Sequence, residues 1–516
     1  EQTISQPAIN QTLVIKKEPG QKVTPASSKS ESAAVQLVNA IKGDSRHKED
    51  DFNDFNHEPL LPRMHSTEGP ELITGDINGD GRSDFIALGA TGDVDKVFVQ
   101  NENGRFSRQQ TNAFDADRNF ESTCGALFDE DNDGDLDLVL GSGGNDFSIG
   151  MRGYLLRFYE NDGRGNFTRQ LGKTPPAGGQ FSAIIPADFD ADGDMDLFIA
   201  ARSIPGNYGL TPRSFLLMKD LGKWRDIAPK ELATAGMITD AAWADYDGDG
   251  SFDLVLAGEW MPITVFLNKR GDFSQSIRIP NSEGWWLDIA PGDVDQDGDL
   301  DFVLGNWGLN TKFKASPEHP MSLYVKDFDK NGKSEFVINW KPPADDKTYP
   351  FPSKMDLTGQ LPSLKKRILK YSEYATMDYE SLFTAEEKAQ AIERKVVYLE
   401  SAILRNNNGQ YILEALPAAA QVSPIFASAI DDFNKDGKPD IWLGGNFYGL
   451  KPEVGRHNDS RSILLLGKED GGFEAASQLT ETIEGEIRTV KRIKEKDGSS
   501  RLLIGINDGP VKVLKY

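Results

Sequence analysis

One cysteine, Cys124, in 516 residues excludes any disulfide within the chain. It sits in Glu-Ser-Thr-Cys-Gly-Ala-Leu-Phe, just ahead of an acidic loop, and reads as a small buried strand residue rather than a reactive thiol. Long apolar runs are missing too: none approaches the ~18 residues that a membrane-crossing helix requires. Positive charge is scarce, with 57 Lys and Arg against 81 Asp and Glu, a net charge of −24. Such an excess disfavours nucleic-acid phosphate, which is held by Lys and Arg, and unassisted docking on an anionic membrane. The five histidines are scattered. There is no Gly-x-Ser-x-Gly elbow, His-Glu-x-x-His pair, phosphate loop or cysteine pair, so no catalytic machinery is visible. His57, beside Glu58, and His457, in a long loop, are the only histidines worth testing, and each reads first as a surface or hydrogen-bonded residue. The first residue, Glu1, follows no initiator Met, signal segment or lipid-accepting cysteine, as expected of a processed or excised chain.

What is abundant is glycine, 50 residues, with 27 prolines, which points to many turns between short strands. Self-similarity organises them. A nine-residue frame with acidic or amide residues at positions 1, 3, 5 and 9 and glycine at 6 recurs seven times, against ~0.1 matches expected by chance. The copies place Asp76, Asn78, Asp80 and Asp84 in the first; Asp129, Asp131, Asp133 and Asp137 in the second; and Asp188, Asp190, Asp192 and Asp196 in the third. The fourth has Asp245, Asp247, Asp249 and Asp253, and the fifth Asp293, Asp295, Asp297 and Asp301. The last two have Asp327, Asp329, Asn331 and Glu335, then Asp432, Asn434, Asp436 and Asp440.

The spacing suits a hard cation. Ca²⁺ takes six to eight oxygens, alternate residues of a curled loop aim theirs inward, the position-7 carbonyl adds a backbone donor, and glycine allows the sharp bend. Up to seven Ca²⁺ are expected; Mg²⁺, which demands a stricter octahedron, is the second choice. An EF-hand is excluded because position 12 is Ala87, Leu140, Ile199, Leu256, Leu304, Ile338 or Leu443 rather than a bidentate Glu. Metal-free acidic turns are disfavoured, because three to six crowded carboxylates repel without a cation. Copy six, with Asn331, Glu335 and two nearby lysines, is the weakest site.

Each loop lies between short apolar strands, and downstream runs such as 154–167 supply a third strand, a Gly-rich turn and a fourth. Units of four antiparallel strands repeating at 53, 59, 57 and 48 residues are propeller blades. The chain resembles bacterial proteins with integrin-like FG-GAP, or VCBS, repeats, notably those similar to cartilage acidic protein with an adjoining UnbV-type domain. The resemblance covers about residues 50 to 516 and is that of the downstream half of such proteins, with the segment 51–62 leading into 69–72. It implies a calcium-loaded β-propeller, exported and used in binding or adhesion.

The expected fold is therefore all-β: a propeller of seven blades, or eight, with calcium loops between the first and second strands of most blades and a small helical insertion. Residues 1–26 read as the tail of a preceding module, 27–50 as a linker and 51–516 as the propeller. Copies five and six are only 34 residues apart, so copy six is expected on the hairpin joining outer strands 322–326 and 335–340, a site without a blade of its own. The insertion is expected at 341–396, where Thr384 to Glu387 form a capping box. Strands resume at 401–416, with a further blade at 426–475 and a metal-free one at 487–516.

Metal loops then occupy one rim. Loops after the second strands occupy the other, bringing Asn207, Tyr208, Trp260, Asn306, Trp307, Asn446, Phe447 and Tyr448 as candidate ligand-binding residues. The same rings could instead plug the channel or pack between blades; Trp243, Trp285, Trp286 and Trp442 read as packing. The function expected is an exported calcium-binding module that binds protein or glycan at the cell surface, the outer membrane or outside the cell. Alternatives are an accessory subunit of an outer-membrane transporter or secretion complex, and a polysaccharide lyase or hydrolase.

Overall fold

The computed structural model describes residues 35–146, 152–172, 177–344, 346–407, 409–476, 481–495 and 498–516. The tail expected at 1–26 and the start of the linker lie outside them. Among the described residues the strands form eight sheets. Seven share one plan, illustrated by Ser122–Phe128, Asp137–Ser142, Arg157–Asn161 and Phe167–Gln170, each antiparallel to the next. Their first strands stand side by side in a closed ring: Leu72–Gly75, Ser122–Phe128, Gln180–Ala187, Met237–Ala244, Asp288–Gly292, Ile425–Asp431 and Glu486–Lys494, the last returning to the first. This is a β-propeller.

Sequence accounts for both inner layers. Second strands such as Asp196–Ser203 and Asp253–Met261 are buried at every residue, so they read as continuous apolar runs rather than alternating ones. First strands need small residues where blades converge. A Cβ on Gly125 would stand 2.6 Å from the Val139 carbonyl oxygen and 2.7 Å from Ile73 Cδ1 of the neighbouring blade; one on Gly292 would meet Ile430 at 2.7 Å. Cys124 is buried in the same layer, as expected, and burial pushes its thiol up to about 12.

Two features depart from the sequence reading. Of the linker expected at 27–50, the described part, 35–50, is more than a connection, since Gln36–Leu37 pairs with the final strand, Lys512–Lys515, and completes the last blade. The ring is thus closed by both ends of the described chain, which adds loop closure to the blade-to-blade packing. The insertion is also larger than 341–396. Met321–Lys326, Glu335–Trp340, Tyr349–Pro350 and Ile392–Val396 form a separate sheet, interposed between the second and third strands of the fifth blade, Asp301–Gly305 and Ala402–Asn407. The strands around copy six therefore belong to this cap and are not outer strands of a blade. Short helices follow, among them Lys354–Gln360 and Ala385–Lys388, the latter with its capping box intact. No helix among the described residues is long and apolar enough to cross a membrane.

Candidate metal centres and the capped rim

All seven acidic loops fold alike. The first aspartate is pinned by the backbone it encircles: Asp76 accepts from the N–H of Asp80 (3.0 Å) and Gly81 (2.7 Å), and Asp188 from Asp192 and Gly193 (both 3.1 Å). The glycine at position 6 is left-handed throughout, from φ 80° at Gly81 to 95° at Gly134 and Gly193. Position 4 is left-handed as well, at Gly79, Asn132, Ala191, Gly248, Gln296, Lys330 and Lys435. The sequence reading missed this; two Gly and one Asn among the seven were the available signal. The ninth residue ties the loop to the blade. Asp84 accepts from Ile77 N–H at 3.1 Å and, with its other oxygen, from Gln100 N–H on the third strand at 2.7 Å. Asp137, Asp253, Asp301 and Asp440 repeat both bonds, whereas Asp196 accepts from Lys219 N–H on the third strand and Glu335 from Phe328 N–H in the loop.

The donor set fits a hard cation. Carboxylate oxygens converge within 4.8 Å at Asp129, Asp131 and Asp137; Asp188, Asp190 and Asp196; Asp245, Asp247 and Asp249; Asp293, Asp295 and Asp297; and Asp327, Asp329 and Glu335. One buried oxygen on each of Asp190, Asp196, Asp245, Asp295 and Glu335 has no hydrogen-bond partner, which is what a cation would satisfy. Burial, reinforced by neighbouring acids, holds Asp137 and Asp301 at about 6 and Asp196 at about 7; a bound cation would reverse that shift. In the first and last loops, Asn78 and Asn434 stand where the others have a third-position acid. Asp80 there pairs with Arg82, and Asn434 Nδ2 donates to Asp436 at 3.0 Å. In the fourth loop Lys269 Nζ bridges Asp247 (2.8 Å) and Asp249 (2.5 Å), competing for two proposed ligands. The sixth loop is not on the metal rim, because it belongs to the cap: Ser334 N–H donates to Asn207 Oδ1 at 3.3 Å, against the opposite rim.

That opposite rim is covered. Tyr208, Trp260, Trp307, Phe447, Asn306 and Asn446 are at most 3% exposed, so they are not exposed ligand anchors. Trp260, Trp285 and Trp307 meet edge to face with centroids 5.2 Å apart, and Phe447 continues the row at 6.0 Å. Onto this row pack Phe313, Met321, Leu323, Phe336 and Leu357 of the inserted segment, with Leu60 and Leu61 of the segment leading into the propeller. Asn306 and Asn446 bind backbone: Asn306 Nδ2 donates to Tyr398 O (3.2 Å), and Asn446 Nδ2 to Ser460 O (2.7 Å) and Gly485 O (2.8 Å). Their shared Gly-Asn pattern is steric as well, since a Cβ on Gly305 would approach the Ile425 carbonyl to 2.4 Å, and one on Gly445 the Pro424 carbonyl to 1.8 Å. Only Asn207 and Tyr448 are half-exposed, the latter under the Arg456 guanidinium at 3.6 Å. Trp285, Trp286 and Trp442 are buried, and half-buried Trp243 donates to Ile185 O at 3.2 Å, as packing residues should.

A polar pin, unseen in the sequence, fastens the leading segment. Arg63 pairs with Glu68 (2.9 Å) and Glu259, and its guanidinium lies 5.6 Å from the Trp307 ring centre and 5.3 Å from that of Phe447. Arg202 reaches the same two acids, Tyr208 Oη donates to Glu259 (2.8 Å), and Trp260 Nε1 donates to Tyr208 Oη (2.8 Å). Asp54 accepts from His65 and Ser66 N–H (3.1 and 3.2 Å), and Glu58 from Tyr208 N–H (2.9 Å). Desolvation pushes the Glu58 carboxyl up to about 7. Below the pin a cavity of about 200 Å³ follows the ring axis, lined among others by Glu71, Asp240, Asp288 and Lys491, with Lys491 on Glu71 at 2.6 Å. His57 stacks on Phe52 (5.1 Å) beside a 440 Å³ cleft; His457 is buried against Trp307 (5.5 Å).

The FG-GAP-like repeat family matches residues 76–140, 129–199 and 245–304, three stretches that each begin at the first aspartate of an acidic loop. These stretches of the propeller carry FG-GAP-like repeats. Mouse (Mus musculus) cartilage acidic protein 1 is 26% identical over 223 residues, covering 41% of this chain and 33% of its own length. The chain thus spans about a third of that curated relative. Among solved structures, the V. cholerae biofilm matrix protein Bap1 aligns over 93% of this chain and 90% of its own, at 11% identity and TM-score 0.41. The WD40 propeller domain of Doa1 aligns over 93% and 97%, at 10% identity and TM-score 0.40.

Proposed function

We propose that this FG-GAP propeller is a calcium-loaded binding or scaffold module of the cell exterior, whose partners are proteins or glycans. The observation that carries the reading is the convergence of carboxylate oxygens within 4.8 Å in five loops, several of them buried without a hydrogen-bond donor. Asp and Asn side chains would hold Ca²⁺, supplying charge compensation and rigidity rather than chemistry. Extracellular calcium, at about 1 mM, is the concentration at which such sites fill. Export and outer-membrane association belong to the same proposal. The cap occupies the aromatic rim, so recognition falls to the cap's own surface and the rim loops around it. Elemental analysis of protein purified in calcium should find several Ca²⁺ per chain, and pull-down from cell-envelope extracts should recover a partner only in calcium. Protein free of metal after dialysis against millimolar calcium would sink the reading.

A further inference from the structure

Residues 354–371 of the cap carry an apolar stripe that faces inward: Leu357, Leu361, Leu364 and Ile368 are buried in the core shared with the propeller. Three more large apolar side chains of this short stretch point away from that core and are largely in solvent: Met355 is 69% exposed, Leu369 71% and Tyr371 67%. Packing does not require them there. The same stretch carries half-buried Lys354 and exposed Lys365, Lys366 and Lys370, a local excess of positive charge on a chain of net charge −24. Lys354 joins Leu369 and Tyr371 in one patch, since its Nζ lies 4.7 Å from the Tyr371 ring centre and donates to Leu369 O at 3.3 Å.

Nearby acids are already engaged. Asp356 pairs with Lys451 (2.9 Å), Glu387 takes Arg367 in a two-point pair (2.8 and 2.7 Å), and Glu373 accepts from Lys370 N–H (3.2 Å). Among the described residues, no carboxylate is within ion-pair distance of Lys365, Lys366 or Lys370.

We propose that this face of the cap docks peripherally on an anionic lipid surface, with Met355, Leu369 and Tyr371 entering the headgroup–acyl boundary and the four lysines facing phosphates. Exposed apolar groups beside unpaired lysines are the composition of an interfacial anchor. Met355, Leu369 and Tyr371 are each about two-thirds in solvent, which suits a fluid interface that closes around each tip; a folded partner would need a matching socket. The acidic loops of the six blades line the other rim of the ring. At a screening length of about 8 Å they exert little repulsion on a membrane at the cap, so the net charge does not forbid local docking.

The test is flotation of the full chain, in millimolar calcium, with vesicles of phosphatidylcholine alone or with about 30% phosphatidylglycerol, at about 50 and about 500 mM salt. Binding is expected to the anionic vesicles only, and to weaken in high salt. Each lysine contributes about fivefold to partitioning, so the combined Lys365→Glu, Lys366→Glu and Lys370→Glu variant should bind at least about tenfold more weakly. The combined Met355→Ser, Leu369→Ser and Tyr371→Ser variant should also lose binding while its melting curve stays in place, because these side chains lie outside the core. Equal binding to both vesicle types, or wild-type binding by the lysine variant, overturns the proposal. Binding to polyglutamate without binding to vesicles would replace the lipid with an acidic polypeptide.

Discussion

The two rims of this propeller are built on opposite principles. The metal rim repeats one nine-residue device, in which every candidate donor comes from the loop itself and the ninth residue anchors it to its own blade. The capped rim repeats almost nothing: Arg63, Tyr208, Glu259, Trp307 and Phe447 come from distant parts of the chain and meet only because the ring closes. One rim is local and offers oxygens to cations; the other is non-local and covered by protein. Stability should therefore depend on calcium at the first and on packing at the second.

Calcium removal should produce the largest effect. With a dissociation constant near 0.1 mM per site, about 1 mM Ca²⁺ contributes roughly 1.4 kcal/mol at each, or about 8–10 kcal/mol over six or seven sites. EDTA should lower Tm by on the order of 10 °C for a chain of this size. Identical melting curves with and without EDTA would erase the contrast between the rims.

Next in size is Trp307→Ala. Sequence placed Trp307 and Tyr448 in matching loops with equal standing, whereas the structure buries Trp307 to 1% exposure and leaves Tyr448 half-exposed. The buried ring should cost about 3–5 kcal/mol and the other less than about 1 kcal/mol, by urea unfolding in saturating calcium. Equal losses would mean that the cap does not seal the rim.

The same contrast explains what the sequence revealed. The acidic loops, their strands and the propeller were legible because ligands and turn glycines recur within nine residues, with chance matches near 0.1. The closing strand was not, since Gln36–Leu37 is two residues long and pairs with Lys515 and Leu514 at the far end of the chain. The cap was misplaced for an instructive reason: strands 321–326 and 335–340 flank an acidic loop just as blade strands do, and so read as outer strands of a blade rather than as a sheet of their own. Burial of the aromatic loops was invisible because its cause, the cap and the leading segment, lies elsewhere in sequence.

A smaller effect, on the capped rim alone, follows from Glu58. Burial raises its folded value from an ordinary 4.5 to about 7. The folded state thus holds a proton that the unfolded state has lost between these values, and stability falls as pH rises from about 4.5 to 7. Glu58→Gln keeps an acceptor for Tyr208 N–H and removes the charge. It should stabilise by about 1–3 kcal/mol at pH 8 and have little effect at pH 4. A pH-independent difference between variant and wild type would show that Glu58 is not held protonated by its surroundings.

The smallest expected effect returns to the metal rim, where loop four is the exception. Lys269 Nζ spans Asp247 and Asp249, holding two candidate ligands with a charge the chain supplies itself. Calcium entering this loop must displace that ammonium, so the site should be weaker than loop three, where no lysine bridges the ligands among the described residues. Lys269 is well exposed, and solvent and salt screen the pair, so the competition is mild. Lys269→Ala should tighten binding at this site a few-fold, seen as a melting transition that reaches its calcium plateau at a lower concentration. It should also lower stability slightly in EDTA, where, among the described residues, Lys269 is the cation paired with both aspartates. Opposite signs with and without calcium distinguish competition for the site from a simple surface ion pair, whose loss would have the same sign in both.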